Sequence, residues 1–168
     1  MSKLSAINPN IFYKQIIDVR EAISPKELNE KDYDGILLEK IRRRIGDRCW
    51  GSYGFIDGSS LRLVSRTPGK IIGSFLNGTP NYDVKCEAMV CMPSEGDRIQ
   101  CKVIGKNKAG VMTIAKPLHI ILPKDIHEDK DFMDLLNKDD MITIIVTGVR
   151  WDIGDNNINV IGKFLSKV

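Results

Sequence analysis

Long apolar runs are missing from this sequence. The longest unbroken one, Ala88 to Met92, is five residues, against the roughly 20 that a membrane-spanning helix requires, so no spanning helix and no membrane partner are expected. Histidine is scarce: His119 and His127 are the only two in 168 residues, which leaves little for general-base or imidazole-ligated metal chemistry. The four cysteines, Cys49, Cys86, Cys91 and Cys101, include no C-x-x-C pair, and the close ligand pairs of a tetrahedral zinc site are absent with it. Cys86 and Cys91, five apart on a strand, fall on opposite faces, so the thiols read as inert. Neither glycine-rich phosphate loop occurs, since Pro68-Gly69-Lys70-Ile71 lacks both the upstream glycine spacing and the hydroxyl after Lys70. No apolar stretch of signal-peptide length forms before Asn8-Pro9-Asn10, which sets an intracellular, reducing location as the expectation.

Carboxylates do not fill the gap. Asp125, His127, Asp129 and Asp131 alternate, but in a stretch that reads as a loop entering a helix, where acids complement the dipole. Asp139 and Asp140 are neighbours on a strand, point to opposite sides and cannot share a proton. No catalytic residue, cofactor or metal is expected, and the chain reads as a non-enzyme.

What the sequence does carry is a local charge pattern. The net charge is only +3, yet residues 98–124 hold six Lys or Arg and no acid, while residues 125–140 hold seven acids and two Lys. The cations of Lys40 to Arg44 have a simpler reading, as the last turn of a helix whose dipole they complement.

The periodicity predicts strand, loop, helix at the start: a strand over Ile11 to Val19, then a helix capped by Asp32 or Asp34 and running to Arg44. Leu37, Ile41 and Ile45 form its apolar stripe, and Gly46 stands where a left-handed cap would end it. Short strands follow at Tyr53 to Ile56, Leu61 to Ser65 and Lys70 to Phe75, and Asn77-Gly78 is a hairpin signal. In Tyr82 to Met92 the even positions are apolar and Asp83, Lys85 and Glu87 are not, which marks a half-buried strand. Pro93-Ser94-Glu95-Gly96-Asp97 breaks the pattern and divides 1–92 from 93–168. Beyond it come five strands, Ile99 to Ile104, Val111 to Ala115, Leu118 to Leu122, Ile142 to Arg150 and Ile158 to Phe164. A helix after the third carries Phe132, Leu135 and Leu136. That is the outline of a five-stranded OB-fold barrel, and the fold class is α+β, mostly β.

In an OB fold the second and third strands and their loops commonly form a nucleic-acid face. Lys102, Lys106, Lys108, Lys116 and His119, with Arg150 after the fourth strand, are therefore the candidate RNA-binding residues. Stacking contributes about 1–3 kcal/mol per base in such sites, but residues 98–124 contain no Phe, Tyr or Trp. Weak, sequence-tolerant contact with single-stranded RNA is the expectation, with Trp151 the nearest indole.

The order and spacing of five segments resemble a known family. They are Cys49-Trp50-Gly51-Ser52-Tyr53-Gly54-Phe55-Ile56; Tyr82-Asp83-Val84-Lys85-Cys86-Glu87-Ala88-Met89-Val90; Pro93-Ser94-Glu95-Gly96-Asp97; Asp140 through Gly148-Val149-Arg150; and Asn157-Ile158-Asn159-Val160-Ile161-Gly162. Together they are similar to the seventh-subunit stalk family of multi-subunit DNA-directed RNA polymerases, its archaeal members included. The resemblance implies a truncated ribonucleoprotein-like tip domain over 1–92, followed by an OB domain of the ribosomal-protein S-one type over 93–168. It implies a non-catalytic subunit whose tip docks on the large polymerase subunits near the clamp. A helical fourth-subunit partner would lie along the stalk, and the OB domain would reach nascent single-stranded RNA. By position the docking loops are Asp57, Gly58, Ser59 and Ser60, then Thr67, Pro68, Gly69, Lys70 and Ile71, with Gly69 permitting a tight turn. Where the family often has an aromatic after a glycine of the second barrel strand, Gly110 is followed by Val111 and Met112. The 23 isoleucines and many Lys and Asn match an AT-rich genome, and the compact chain looks like versions encoded by large DNA viruses. A viral origin implies the cytoplasm or virion, a eukaryotic cellular one the nucleus. The alternative is a free-standing single-stranded RNA-binding OB protein of translation or RNA decay.

Overall fold

The computed structural model describes residues 11–73 and 78–168; the expectations that fall on Lys3, Asn8 to Asn10, Phe75 and Asn77 lie outside them. Strand β1 (Phe12–Ala22) is longer than the sequence pattern indicates. It pairs antiparallel with β6 (Pro80–Cys91) in unbroken register from Phe12 opposite Cys91 to Ala22 opposite Asn81. The other edge of β6 takes β3 (Phe55–Ile56), β4 (Arg62–Arg66) and β5 (Lys70–Ile71), and β2 (Arg48–Cys49) extends the sheet through β3. Helix α1 (Tyr33–Ile45) packs on one face of this sheet, with Leu37, Ile41 and Ile45 wholly buried among Ile17, Val84, Cys86 and Ala88. Burying each such side chain contributes about 1.5–3 kcal/mol. The opposite face of β1 and β6 is wet, and carries the cross-strand ion pairs Lys14–Glu87 (3.3 Å), Lys85–Asp18 (3.1 Å) and Arg20–Asp83 (2.8 Å).

Asp32 caps the helix by accepting the Gly35 N–H at 2.9 Å, as the sequence predicts. The other end differs from expectation. Gly46 is extended (φ −70°, ψ 145°), and the left-handed residue is Asp47, at φ 55°. Glycine is required at 46 for closeness, because a Cβ there would stand 2.5 Å from Arg42 O and 3.1 Å from the Gly58 Cα. The cations of the last turns fasten the helix to its surroundings. Lys40 Nζ donates to Ala22 O (2.6 Å), Arg42 Nε to Gly58 O (3.0 Å) and Arg44 to Arg20 O (2.8 Å).

Strands β7 (Arg98–Asn107), β8 (Gly110–Ala115), β9 (Leu118–Pro123), β10 (Met141–Arg150) and β11 (Ile158–Lys167) contain all five predicted barrel segments. They close in the order β7-β8-β9-β11-β10, with β10 returning to β7, and only the β9–β11 pair is parallel. A closed five-stranded barrel in this order is OB-like. The helix expected between the third and fourth barrel strands is not an α-helix: 124–140 holds two 3-10 turns, Lys124–Ile126 and Lys130–Met133. Its acids explain why. Asp129 takes the Asp131 N–H (2.9 Å) and Asp140 the Asn137 N–H (2.8 Å), local bonds that compete with helical ones in a segment too short to offset helix nucleation. Phe132 and Leu136 nonetheless bury against the barrel core, whereas Leu135 is exposed.

His127 fixes this plug. Its Nδ1 lies 2.7 Å from Pro123 O and its Nε2 accepts the Phe164 N–H at 2.8 Å, while its ring stacks on Phe132 at 3.9 Å. The two bonds together require the neutral tautomer with the proton on Nδ1.

Two hydrophobic cores result, one under α1 and one inside the barrel. The barrel core also takes Ile11, Cys49 and Cys91 from the first half of the chain. Cys86 and Cys91 accordingly face different cores. All four thiols are buried and unlinked, and burial pushes Cys49, Cys86 and Cys101 up to about 11 and Cys91 up to about 12, which suppresses the reactive thiolate.

This packing can be tested at two residues. Replacing His127 by Phe keeps a ring on Phe132 but orphans a part-buried carbonyl and a part-buried N–H; at about 1–3 kcal/mol each, urea unfolding should show a loss of about 2–6 kcal/mol. The second residue is Glu27, whose carboxylate takes the Ser24 N–H and Oγ–H (2.8 Å each) and Lys40 Nζ (3.1 Å). These bonds, the Ser24 N–H foremost, lower its pKa to about 2 from 4.5. A carboxylate depressed in the folded state stabilises it fully above its unfolded pKa and loses that contribution as pH falls through the folded one. Between about pH 4.5 and pH 2 the wild type should therefore lose stability more steeply than Glu27→Gln, as read by acid titration of the unfolding midpoint.

Candidate nucleic-acid interface

The registers of the barrel place outward side chains in rows that run across the strands. Lys102 lies opposite Ile114, Ile114 opposite His119, His119 beside Asn159, and Asn159 opposite Arg150. Three of the six sequence-predicted residues, Lys102, His119 and Arg150, thus share one row with Ile114 and Asn159. Lys116 sits in the β8–β9 turn at the same end as Arg150, where the Ile158 N–H reaches Pro117 O at 3.1 Å.

The remaining two stand elsewhere. Lys108 is at the β7–β8 turn, at the opposite end of the barrel. Lys106 follows a bulge that reverses its side: it pairs with inward-facing Val111 and donates from Nζ to Met133 O at 2.9 Å, so it closes the plugged end. Lys102 is also engaged, with Asp139 at 2.8 Å, and that lysine holds the Asp139 carboxyl below its usual range. Asp140 is held low in the same way by Lys167, 2.7 Å away, so the two neighbouring carboxylates serve separate ion pairs. Among the described residues, Lys108, Lys116 and Arg150 have no carboxylate partner, and all three are exposed.

Beside Arg150 the β10–β11 loop and β11 shape a cleft of about 580 Å³, lined by Ile121, Arg150, Trp151, Asp155, Asn159 and Ile161. Trp151 packs partly on the barrel core, which orients its ring. The loop is held from outside, because β2 pairs with it: the Cys49 N–H donates to Asp155 O (2.7 Å) and the Gly154 N–H to Cys49 O (2.8 Å). A half-buried indole, an unpaired guanidinium and an amide around one cleft are the groups that stack a base, neutralise a phosphate and bond a base edge. The charge run alone does not single out Trp151 and Asn159 for this role; the pairing of Asn159 with both His119 and Arg150 appears only with the register.

The first group of docking candidates has internal work. Asp57 Oδ1 accepts the Ser59 N–H (3.0 Å) and Oγ–H (2.7 Å), and Ser60 Oγ donates to Asp57 O (2.7 Å) and accepts the Met89 N–H (2.8 Å). Gly58 is buried against Gly46, and of the four only Ser59 is exposed. In the second group Thr67 exchanges bonds with Asp83, its N–H to Asp83 O (2.9 Å) and its Oγ1 with the Asp83 N–H (3.0 Å). Gly69 is not in the left-handed region. It is glycine because a Cβ would meet the Tyr82 ring at 2.8 Å and its hydroxyl at 2.9 Å, which corrects the tight-turn reading. Pro68, Lys70 and Ile71 are exposed, Ile71 at 57%.

No protein-family model matches the chain, and no curated protein matches it either. Among the described residues no cluster of three His, Cys, Asp or Glu is placed to hold a metal, and no helix is long and apolar enough to cross a membrane.

The geometry makes a salt-dependent prediction. With about three phosphate contacts at roughly −0.7 each for a single strand, the affinity for oligouridylate should fall with a log–log slope of about −2 in salt. Arg150→Ala should reduce the slope by about 0.7, and Lys106→Ala, removing a cation tied to Met133 O, should leave it unchanged. Equal slopes for wild type and Arg150→Ala would remove Arg150 from the interface.

Proposed function

We propose that this chain is a non-catalytic stalk subunit of a multi-subunit DNA-dependent RNA polymerase, held through its first half and offering its barrel to emerging single-stranded RNA. One observation carries the reading. Three of the five segments whose order resembles the stalk family also join the two halves of this molecule. Cys49 bonds the β10–β11 loop, and Gly96 and Asp97 bond Val146 in the barrel, N–H to O at 2.8 Å and O to N–H at 2.9 Å. A resemblance spread over unrelated loops would have no such relation to the architecture. On this reading residues 1–92 are a truncated ribonucleoprotein-like tip and 93–168 an S-one-type OB domain. The large subunits near the clamp take the exposed edge at Ser59, Lys70 and Ile71, a helical fourth-subunit partner lies along the stalk, and the transcript meets Arg150, Lys116 and His119.

The test is co-purification. Affinity-tagged protein made in its native setting should bring down large polymerase subunits in gentle salt, and the paired substitution Lys70→Glu with Ile71→Glu should cut recovery at least tenfold with an unchanged circular-dichroism spectrum. Gly69 is unsuitable as a probe, since any side chain there collides with Tyr82. Recovery without polymerase subunits, alongside oligouridylate binding by the free chain, would favour the free-standing RNA-binding protein and overturn the stalk assignment.

A further inference from the structure

Four aliphatic side chains lie side by side on the outside of the barrel. Ile104 is 45% exposed, Met112 38%, Ile121 49% and Ile161 48%. They come from β7, β8, β9 and β11, the four strands that adjoin in that order. Met112 is opposite Ile121 and Ile121 beside Ile161, while Ile104 is the extra residue of the bulge that leaves Gly105 opposite Met112. With strands about 4.8 Å apart, the row is about 14 Å long. Scattered exposed apolar residues are ordinary, but a contiguous row marks an interaction surface.

The flanks indicate what covers it. On one side stand Lys102, Ile114, His119, Asn159 and Arg150, and on the other Lys163, Pro123 and Gly110. None of these positions carries a carboxylate. Lys102 is already paired with Asp139 at 2.8 Å, whereas among the described residues Arg150 and Lys163 carry no carboxylate partner. Within the row itself there is no planar side chain for a base to stack on.

We propose that this row is the docking site for an amphipathic α-helix of a partner protein, with acidic residues bordering the helix's apolar face. A helix lying across the strands advances about 5.4 Å per turn, close to the strand spacing, so apolar residues at i, i+3 or i+4, and i+7 meet successive members of the row. About three turns span it. Acids on the two borders then face Arg150 and Lys163. The proposal uses only the barrel surface and stands whether or not the chain belongs to a polymerase.

The experiment uses the full chain and a synthetic helical peptide with leucine at i, i+3, i+4 and i+7 and glutamate on both borders, followed by fluorescence anisotropy. A peptide of the same composition in scrambled order and an oligouridylate serve as the other ligands. The helical peptide should bind, the scrambled one should not, and the pair Ile104→Ser with Met112→Ser, row members outside the Trp151 cleft, should weaken binding at least tenfold, with unchanged circular dichroism and unchanged oligouridylate affinity. Arg150→Ala should weaken the peptide several-fold. Failure of the helical peptide to bind, equal binding of the scrambled peptide, or indifference to the two serines would overturn the assignment. If instead oligouridylate binding drops tenfold in the serine pair while the peptide does not bind, the row belongs to RNA.

Discussion

The parallel ladder between β9 and β11 is the constraint from which the rest of the barrel surface follows. Ile158 beside Leu118, Asn159 beside His119 and Ile161 beside Ile121 close the cylinder, and a side-chain period of two leaves no freedom in what points outward once those pairs are fixed. A slip of one residue would turn Val160 and Ile158 to water and bury Asn159. The same ladder therefore sets the polar row that ends in Arg150 and the aliphatic row that ends in Ile161. Bulges in β7 and β10 adjust the remaining strands to it; the one in β7 swings Lys106 away from the face and leaves Ile104 on it.

The two halves of the chain are held by backbone groups as well as by apolar packing. Ile11, Cys49 and Cys91 enter the barrel core from the first half, and the Cys49 peptide exchanges hydrogen bonds with Asp155 and Gly154. A buried backbone group without such a partner would cost about 1–3 kcal/mol, so β2, only two residues long, is anchored from outside its own sheet. His127 performs a comparable task at the other end of the barrel, joining β9, the plug and β11 through one imidazole.

Much of this is legible in the residues. Strand positions in the barrel, the burial of Leu37, Ile41 and Ile45, and the Asp32 cap all follow from period and capping chemistry. What fails does so for identifiable reasons. Phe132 and Leu136 have helical spacing and bury as a helix would, but Asp129 and Asp140 bind nearby N–H groups and shorten the segment to 3-10 turns. Gly46 and Gly69 read as cap and turn glycines, yet a Cβ at Gly46 would meet Gly58 as well as Arg42 O of its own helix, and one at Gly69 would meet Tyr82, contacts across the fold that no local rule detects. For the candidate interface, the charge run identifies Lys102 and His119, but which cations are already engaged depends on Asp139 and on Met133 O. The exposed aliphatic row leaves one trace in the sequence: Ile120-Ile121-Leu122 and Val160-Ile161 stay apolar where a solvated strand should alternate.

The short clasp at Cys49 also has a mechanical side. Loop residues 152–157 form one wall of the Trp151 cleft and, at the same time, are the hydrogen-bonded neighbours of β2. The sheet of the first half cannot shift against the barrel without either breaking the two bonds at Cys49 or dragging that wall with it. One wall of the cleft and the seating of the first-half sheet thus share the same two backbone bonds.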